Sequence, residues 1–141
     1  FSIYNKVNRN VQKIPCEIVG LDISDLMIIK ARRNLRAFPF ARDIKTINNS
    51  FDSIVNDETK YFVLTNPPYG ERMGDEIEEL YSGIGTWLKN HMSGSTFWLI
   101  TSNTNALKSI ALKHSEKIKV YNGNIECSFR KYDMYTGSKK N

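Results

Sequence analysis

At 141 residues, with 40% hydrophobic and 25% charged residues, the chain has the length of one domain and the composition of a folded protein, which excludes disorder. A net charge of +5 suits a polyanionic partner without requiring one. No apolar run approaches the roughly 18 residues of a membrane span, and no cationic leader is visible, so we expect a cytoplasmic protein. Cys16 and Cys127 lie in apolar stretches and are expected to be reduced core thiols, too few for a metal cluster.

The first half of the chain predicts a helix, a strand and a second helix. Residues 1–13 place apolar side chains at helical spacing until Pro15 breaks the pattern. Residues 17–23 predict a buried strand that ends in an acid, Asp22. Ser24 is placed to cap the following helix, which should run as far as Pro39. A short strand over residues 43–49 and a turn or brief helix over residues 50–55 complete this half.

Asp22 has two possible uses. A carboxylate at the end of a strand in an α/β chain can accept hydrogen bonds from both ribose hydroxyls of an adenosine-containing cofactor. Alternatively, Asp22 only supports the start of the next helix, together with Ser24 and Asp25. The residues alone leave both interpretations open.

The stretch Phe62–Tyr69, FVLTNPPY, is the most informative about function. Its apolar residues predict a buried parallel strand that stops at Asn66, because Pro67 and Pro68 cannot donate a hydrogen bond to a sheet. In open parallel sheets, ligands bind beyond the carboxyl ends of the strands. The Asn-Pro-Pro-Tyr segment is therefore expected at a ligand-binding edge.

This segment suits a planar amino group. The side-chain oxygen of Asn66 and the carbonyl of Pro67 form a pair of acceptors for the two N–H donors of a nucleobase amine. The ring of Tyr69 can stack on the base, which is worth about 1–3 kcal/mol. The plain alternative is a structural turn, since Asn-Pro and Pro-Pro are common in loops.

The second half of the chain predicts two helices, a strand and a hairpin. Residues 75–92 form an amphipathic pattern capped by Asp75, in which Gly83 and Gly85 permit close helix packing and do not form a phosphate loop. Residues 96–101 predict a buried strand, followed by a helix that Asn103 or Thr104 caps and that runs to residue 114. Asn122-Gly123 then predicts the turn of a hairpin that spans residues 118–135.

The sequence NPPYGERMG, residues 66–74, resembles motif IV of the S-adenosylmethionine-dependent amino-group methyltransferases. It is most similar to the branch that methylates guanine N2 in large-subunit ribosomal RNA, which includes proteins described as N6-adenine-specific DNA methylase-like. The end of the hairpin, YNGNIECSFRKYDMY, also resembles that branch, so the resemblance covers nearly the whole chain. It implies an α/β Rossmann-like sheet, mostly parallel with a C-terminal antiparallel hairpin, and S-adenosylmethionine as cofactor.

The resemblance also assigns roles to residues. Asp22 would hold the ribose of the cofactor, and Ile23 would pack against its adenine. Tyr69 and Arg72 would contact the RNA substrate, although an ion pair between Arg72 and Glu71 that holds the loop is the alternative. Asn66 would lie next to both cofactor and substrate. The implied catalytic residues are Asn66, Pro67, Pro68 and Tyr69.

Two departures from the family pattern qualify these assignments. Asn49 and Ser50 occupy the place where many relatives carry an acid for the adenine amino group, and Asp52 lies close by, so recognition of adenine is left open. No strand with a Gly-rich turn precedes Asp22, although the family places that strand between those that end at Asp22 and Asn66.

We therefore expect residues 1–135 to be the C-terminal part of a catalytic domain, inactive alone, with a polar tail over residues 136–141. The Gly-rich loop and an RNA-binding domain would lie upstream in the same polypeptide, unless another chain or a rearranged strand fills the gap. Two alternative functions stay open: methylation of adenine N6 in DNA, and a non-catalytic module that binds nucleic acid.

Overall fold

The structure is a computed structural model, and it describes residues 15–38, 41, 43–55, 58–70 and 75–136. The helix predicted over residues 1–13 and the loop residues Glu71 and Arg72 lie outside these ranges. The chain divides into two compact units, Phe1–Ser53 and Ile54–Asn141. In the described part of the chain, we find no helix with the length and apolar character needed to span a membrane.

The first unit is a strand, a helix and a strand. β1 (Val19–Asp22) pairs in parallel with β2 (Lys45–Asn48), and α1 (Asp25–Arg36) connects them. Ser24 caps α1 as predicted, since its Oγ accepts a hydrogen bond from the backbone N–H of Met27 at 3.4 Å. Phe51–Ser53 form the short helix predicted after β2, as a single turn of 3₁₀ helix.

The second unit is a four-stranded mixed sheet with helices between its first strands. In chain order it contains β3 (Phe62–Thr65), α2 (Asp75–His91), β4 (Thr96–Thr101), α3 (Ala106–Ser109), β5 (Glu116–Asn122) and β6 (Ile125–Asp133). The strand order is β3-β4-β6-β5, with β3 parallel to β4 and the other pairs antiparallel. Because β3 and β4 are parallel, the residues that follow both strands emerge at one edge of the sheet.

The core of the second unit lies between α2 and one face of this sheet. Tyr81 and Leu88 are fully buried on α2, and the ring of Trp87 meets that of Phe97 edge-on at 6.2 Å. A Cβ atom at Gly85 would overlap the carbonyl oxygen of Ile110. The prediction that Gly85 permits close packing is therefore confirmed.

The closing hairpin forms as predicted, with its turn one residue further along. Asn122 pairs with Ile125, so Gly123 and Asn124 are the two central residues of the turn. Gly123 has a φ of 62°. A positive φ at the first central position is typical of a type II′ turn, which glycine adopts without strain.

The prediction that β3 is a buried strand was wrong. The strand forms where expected, but the side chains of Phe62 and Leu64 are 68% and 65% exposed. β3 is the outer strand of its sheet and pairs only with β4. Its alternate residues Phe62 and Leu64 stand on the opposite face from Val63, which is the cross-strand neighbour of the buried Phe97.

Three smaller predictions were also wrong. Cys16 is exposed, because β1 begins only at Val19, whereas Cys127 is buried as predicted. The helix after β4 ends at Ser109, not at residue 114, since Ala111 adopts a positive φ of 51° that an α-helix cannot contain. Similarly, α1 ends at Arg36, before the proline that was expected to stop it.

Candidate active site

Asn66 directly follows β3 and is exposed, so its side chain is not turned into the core. Among the described residues, no hydrogen bond reaches its carboxamide. The next residue, Pro67, is buried. The local sequence explains this arrangement. The buried ring of Pro67 anchors the backbone and restricts its conformation, while the polar side chain of Asn66 stays in solvent.

The two carbonyl groups after this pair are held by side chains from other elements. The hydroxyl of Tyr81 on α2 lies 3.4 Å from the carbonyl oxygen of Pro68. Asn103, just beyond β4, donates a hydrogen bond from Nδ2 to the carbonyl oxygen of Tyr69 at 2.9 Å. The carbonyls of Pro68 and Tyr69 lie beyond the end of β3 and have no partner strand within the described residues, so each is contacted by one side chain instead.

Tyr69 is half-buried and fixed at its hydroxyl end. Its hydroxyl accepts from Nδ2 of Asn122 at 3.5 Å and from Sγ of Cys127 at 3.7 Å. Burial raises the pKa of the Tyr69 phenol, and the hydrogen bond from Asn122 lowers that pKa. The net shift is upward, so the side chain stays neutral near pH 7 and can serve as a polar-tipped stacking surface, although not as a base.

Behind the loop lies a buried pair of hydroxyls. Tyr81 and Thr101 are both fully buried, and their side-chain oxygens are 2.8 Å apart. Burial raises the pKa of Tyr81 above its ordinary value, so the phenol keeps its proton and remains a donor.

In the first unit, Asp22 is exposed at the end of β1. Its Oδ1 accepts a hydrogen bond from the backbone N–H of Ser24 at 2.8 Å. The helix-supporting role that the sequence left open is therefore observed, and it uses one oxygen of the carboxylate. Within the described residues Oδ2 has no hydrogen-bond partner. Ile23, beside it, is 78% exposed, a large exposure for an apolar residue.

Asn48 supports this end of β1 and was missed by the sequence analysis. Its Nδ2 donates to the carbonyl oxygens of Asp22 at 3.1 Å and Ile23 at 3.0 Å. The residue after it, Asn49, turns its Oδ1 to the backbone N–H of Ser50 at 2.9 Å. The oxygen of Asn49 thus serves its own loop, and the adenine-binding position stays unassigned.

Each unit therefore brings part of the predicted set together. The second unit gathers Asn66, Pro67, Pro68 and Tyr69, and the first places Asp22 next to Ile23. Arg72 lies outside the described residues. Asn103 could have been found from the sequence, because polar residues after adjacent parallel strands meet at one edge of a sheet.

The sequence matches known methyltransferases. The model of the UPF0020 family, described as the RMKL-like methyltransferase domain, matches residues 3–131. The ribosomal RNA large subunit methyltransferase K/L of Marinomonas sp. (strain MWYL1) is 32% identical over 126 residues, which are 86% of this chain and 18% of the relative. The chain thus spans less than a fifth of the length of that relative.

Solved structures show the same fold. The crystal structure of SMU.472, complexed with SAH, superposes with a TM-score of 0.81 over 97% of this chain and 37% of that one, at 21% identity. A protein from Listeria monocytogenes str. 4b F2365, described as a predicted N6-adenine-specific DNA methylase, gives a TM-score of 0.71 at 25% identity, over 85% of this chain and 31% of its own. The predicted Rossmann-like α/β class is confirmed. With its family model matched over residues 3–131, the chain belongs to the UPF0020 family of RMKL-like methyltransferase domains.

Proposed function

We propose that this chain supplies catalytic and cofactor-binding residues to a cytoplasmic, S-adenosylmethionine-dependent methyltransferase that modifies an exocyclic base amine, namely guanine N2 of large-subunit ribosomal RNA. The observation that carries the proposal is the exposed carboxamide of Asn66, which has no hydrogen-bond partner in the described part of the chain and follows directly on a strand end. A polar group that the fold leaves unused at this edge is available to a ligand.

Asn66 would act on the amine by accepting a hydrogen bond from one of its N–H groups. The lone pair of an aryl amine is delocalised into the ring, so the amine is a weak nucleophile. Hydrogen bonds from its two N–H groups to Asn66 Oδ1 and the Pro67 carbonyl favour a pyramidal nitrogen and stabilise the positive charge that develops there. S-adenosylmethionine supplies the methyl group, on a positively charged sulfur. The bond from the methyl group to sulfur breaks as the bond to nitrogen forms, and the methylated ammonium then loses its surplus proton to water. Because that proton is lost after the transfer and is acidic, no strong base is required.

Asp22 and Ile23 fit the methyl donor's adenosine. Oδ2 of Asp22, which has no partner among the described residues, can accept a hydrogen bond from a ribose hydroxyl, while Oδ1 keeps its bond to Ser24. The exposed side chain of Ile23 offers apolar surface to an adenine ring. Asn48 donates hydrogen bonds to the carbonyls of both residues and so holds the backbone that carries their side chains.

The choice of RNA as substrate rests on the Marinomonas relative, which is named for large-subunit ribosomal RNA, and the net charge of +5 agrees with a polyanion. The whole enzyme would include a further part of the same polypeptide, because the relative is more than five times longer than its matched region. Methylation of adenine N6 in DNA is the second candidate, and the description of the Listeria protein favours it.

The two candidates differ in the product they form. Full-length protein containing this sequence should be incubated with labelled S-adenosylmethionine and either unmodified ribosomal RNA or duplex DNA, followed by digestion to nucleosides. We expect label in N2-methylguanosine from the RNA. Label in N6-methyladenine from the DNA would replace the first candidate by the second, and label in neither would leave the non-catalytic alternative.

A further inference from the structure

We propose that Tyr81, Thr101 and Asn103 form a positioning relay that fixes the Asn66–Tyr69 loop for methyl transfer, an inference that rests on the proposed function. The three residues come from α2, from the last position of β4 and from the segment after it. Together they contact the carbonyl oxygens of Pro68 and Tyr69, the two that follow the proposed acceptor pair.

The relay is continuous through Thr101. Its Oγ1 accepts a hydrogen bond from the backbone N–H of Asn103 at 3.0 Å and lies 2.8 Å from the hydroxyl of Tyr81. The side chain of Asn103 is held as well, since its Oδ1 accepts from the backbone N–H of Ala106 at 2.9 Å. The amide that reaches Tyr69 is therefore anchored at its other end.

Either hydroxyl of the Tyr81–Thr101 pair can donate across the 2.8 Å contact, and counting protons favours Thr101 as the donor. A phenol has one proton, and the carbonyl of Pro68 can only accept. If the hydroxyl of Tyr81 donates its hydrogen bond to the carbonyl of Pro68, the hydroxyl of Thr101 can donate to the oxygen of Tyr81. Thr101 can then still accept the hydrogen bond from the backbone N–H of Asn103. In the opposite arrangement the buried hydroxyl proton of Thr101 has no acceptor among the described residues, which costs about 1–3 kcal/mol.

The relay matters because no hydrogen bond from the described residues holds the side chain of Asn66. Its position depends on the backbone of its own loop, which is stiffened by Pro67 and Pro68 and held at the carbonyls of Pro68 and Tyr69. In-line transfer tolerates little misplacement, and a shift of about 1 Å caused by a distant mutation can reduce the rate about 100-fold. Loss of one hydroxyl from the relay is therefore expected to reduce turnover more than it affects cofactor binding.

Thr101→Val in the full-length protein tests the relay, with Thr101→Ser as its matched control. Valine keeps the shape of threonine without the hydroxyl, and serine keeps the hydroxyl. For Thr101→Val we expect a single-turnover rate lower by about 10- to 100-fold, with S-adenosylmethionine affinity within about threefold of wild type. Thr101→Ser should stay within about threefold of the wild-type rate. A fast Thr101→Val enzyme, or a Thr101→Ser enzyme as slow as it, would overturn the proposal.

A second variant and a measurement made without substrate test the relay separately from the proposed function. Tyr81→Phe removes the adjoining hydroxyl while keeping the ring, so it replaces Thr101→Val if that variant does not fold. The NMR shifts of selectively ¹³C-labelled Pro68 and Tyr69 carbonyls need no substrate and should change in Thr101→Val and Tyr81→Phe, but not in Thr101→Ser. If wild type methylates neither RNA nor DNA, the proposed function fails, and unchanged carbonyl shifts in these variants would then refute the relay too.

Discussion

Among the described residues, the side chain of Asn66 takes no part in holding its own loop. Its neighbours contribute to structure, because Pro67 is buried and the carbonyls of Pro68 and Tyr69 are held by Tyr81 and Asn103. The carboxamide of Asn66 is exposed and has no partner among the residues described. A substitution there should therefore separate function from stability.

We predict that Asn66→Ala abolishes most methyl transfer without unfolding the protein. Losing one transition-state acceptor should cost about 2.7–4 kcal/mol, or about 100- to 1,000-fold in kcat. Calorimetry should show cofactor affinity within a few fold of wild type, and thermal unfolding should be unchanged. Asn90→Ala, at an exposed position near the end of α2, is the matched control. Wild-type turnover in Asn66→Ala would contradict the assignment.

Asp22 allows the two interpretations of its carboxylate to be separated. Asp22→Asn keeps an oxygen that can accept from the N–H of Ser24 but removes the negative charge. A hydrogen bond to a charged group is worth about 1.5–3 kcal/mol, so we predict that the dissociation constant for S-adenosylmethionine rises about 10- to 100-fold, with little change in unfolding temperature. Titration calorimetry and thermal unfolding measure the two quantities. An unchanged dissociation constant would leave Asp22 only its role at the start of α1.

Sequence motifs predicted the candidate site residues better than the residues that hold them in place. Asn66 and Tyr69 belong to a contiguous motif, whereas Thr101 and Asn103 lie more than thirty residues later and reach the loop only because β4 pairs with β3. Asn48 reaches Asp22 for the same reason, through the pairing of β1 with β2. Strand neighbours of this kind are set by strand order, so they are found only when the ends of neighbouring strands are considered together.

At the scale of elements, hydrophobic periodicity predicted where the strands and helices lie in the chain. It did not predict which of their faces other elements cover. β3 forms where its apolar residues predict it, yet Phe62 and Leu64 are exposed because they lie on the face of the sheet opposite Val63 and the core. Apolar character reports a tendency to be buried and does not report which element covers the residue. Likewise, α3 is short because Ala111 takes a positive φ, a tertiary effect that a capping pattern at Asn103 cannot reveal.

Gly85 gives a test at this scale. Alanine favours a helix over glycine by about 1 kcal/mol, but its Cβ would overlap the carbonyl oxygen of Ile110. We predict that Gly85→Ala destabilises the protein by about 1–3 kcal/mol, as overpacking does elsewhere. Gly83→Ala, at an exposed position of the same helix, should be neutral or stabilising. Urea unfolding of the two variants provides the comparison, and equal midpoints would show that α2 and Ile110 can move apart at little cost.

At the scale of the whole molecule, β1 and β3 are both outer strands of their sheets. These are the two strands beside which the family resemblance places a further strand. β1 pairs only with β2, and β3 pairs only with β4, within the described residues. Apolar side chains are exposed on both, including Val19 at 40% and Phe62 at 68%. We propose on these observations that further parts of a longer polypeptide complete the domain, an expectation that the sequence resemblance already raised.

Phe62 allows that expectation to be tested. If another part of a longer polypeptide covers β3, Phe62→Ser should destabilise the full-length protein by about 1.5–3 kcal/mol, the value of burying such a side chain. In the 141-residue polypeptide alone the same change should leave stability unaltered and reduce self-association, because the side chain is already 68% exposed. Val55→Ser, at an apolar position with 59% exposure outside the sheet, is the control. Urea unfolding and sedimentation of both lengths provide the measurements, and an equal effect of Phe62→Ser in the two would mean that nothing beyond this chain covers β3.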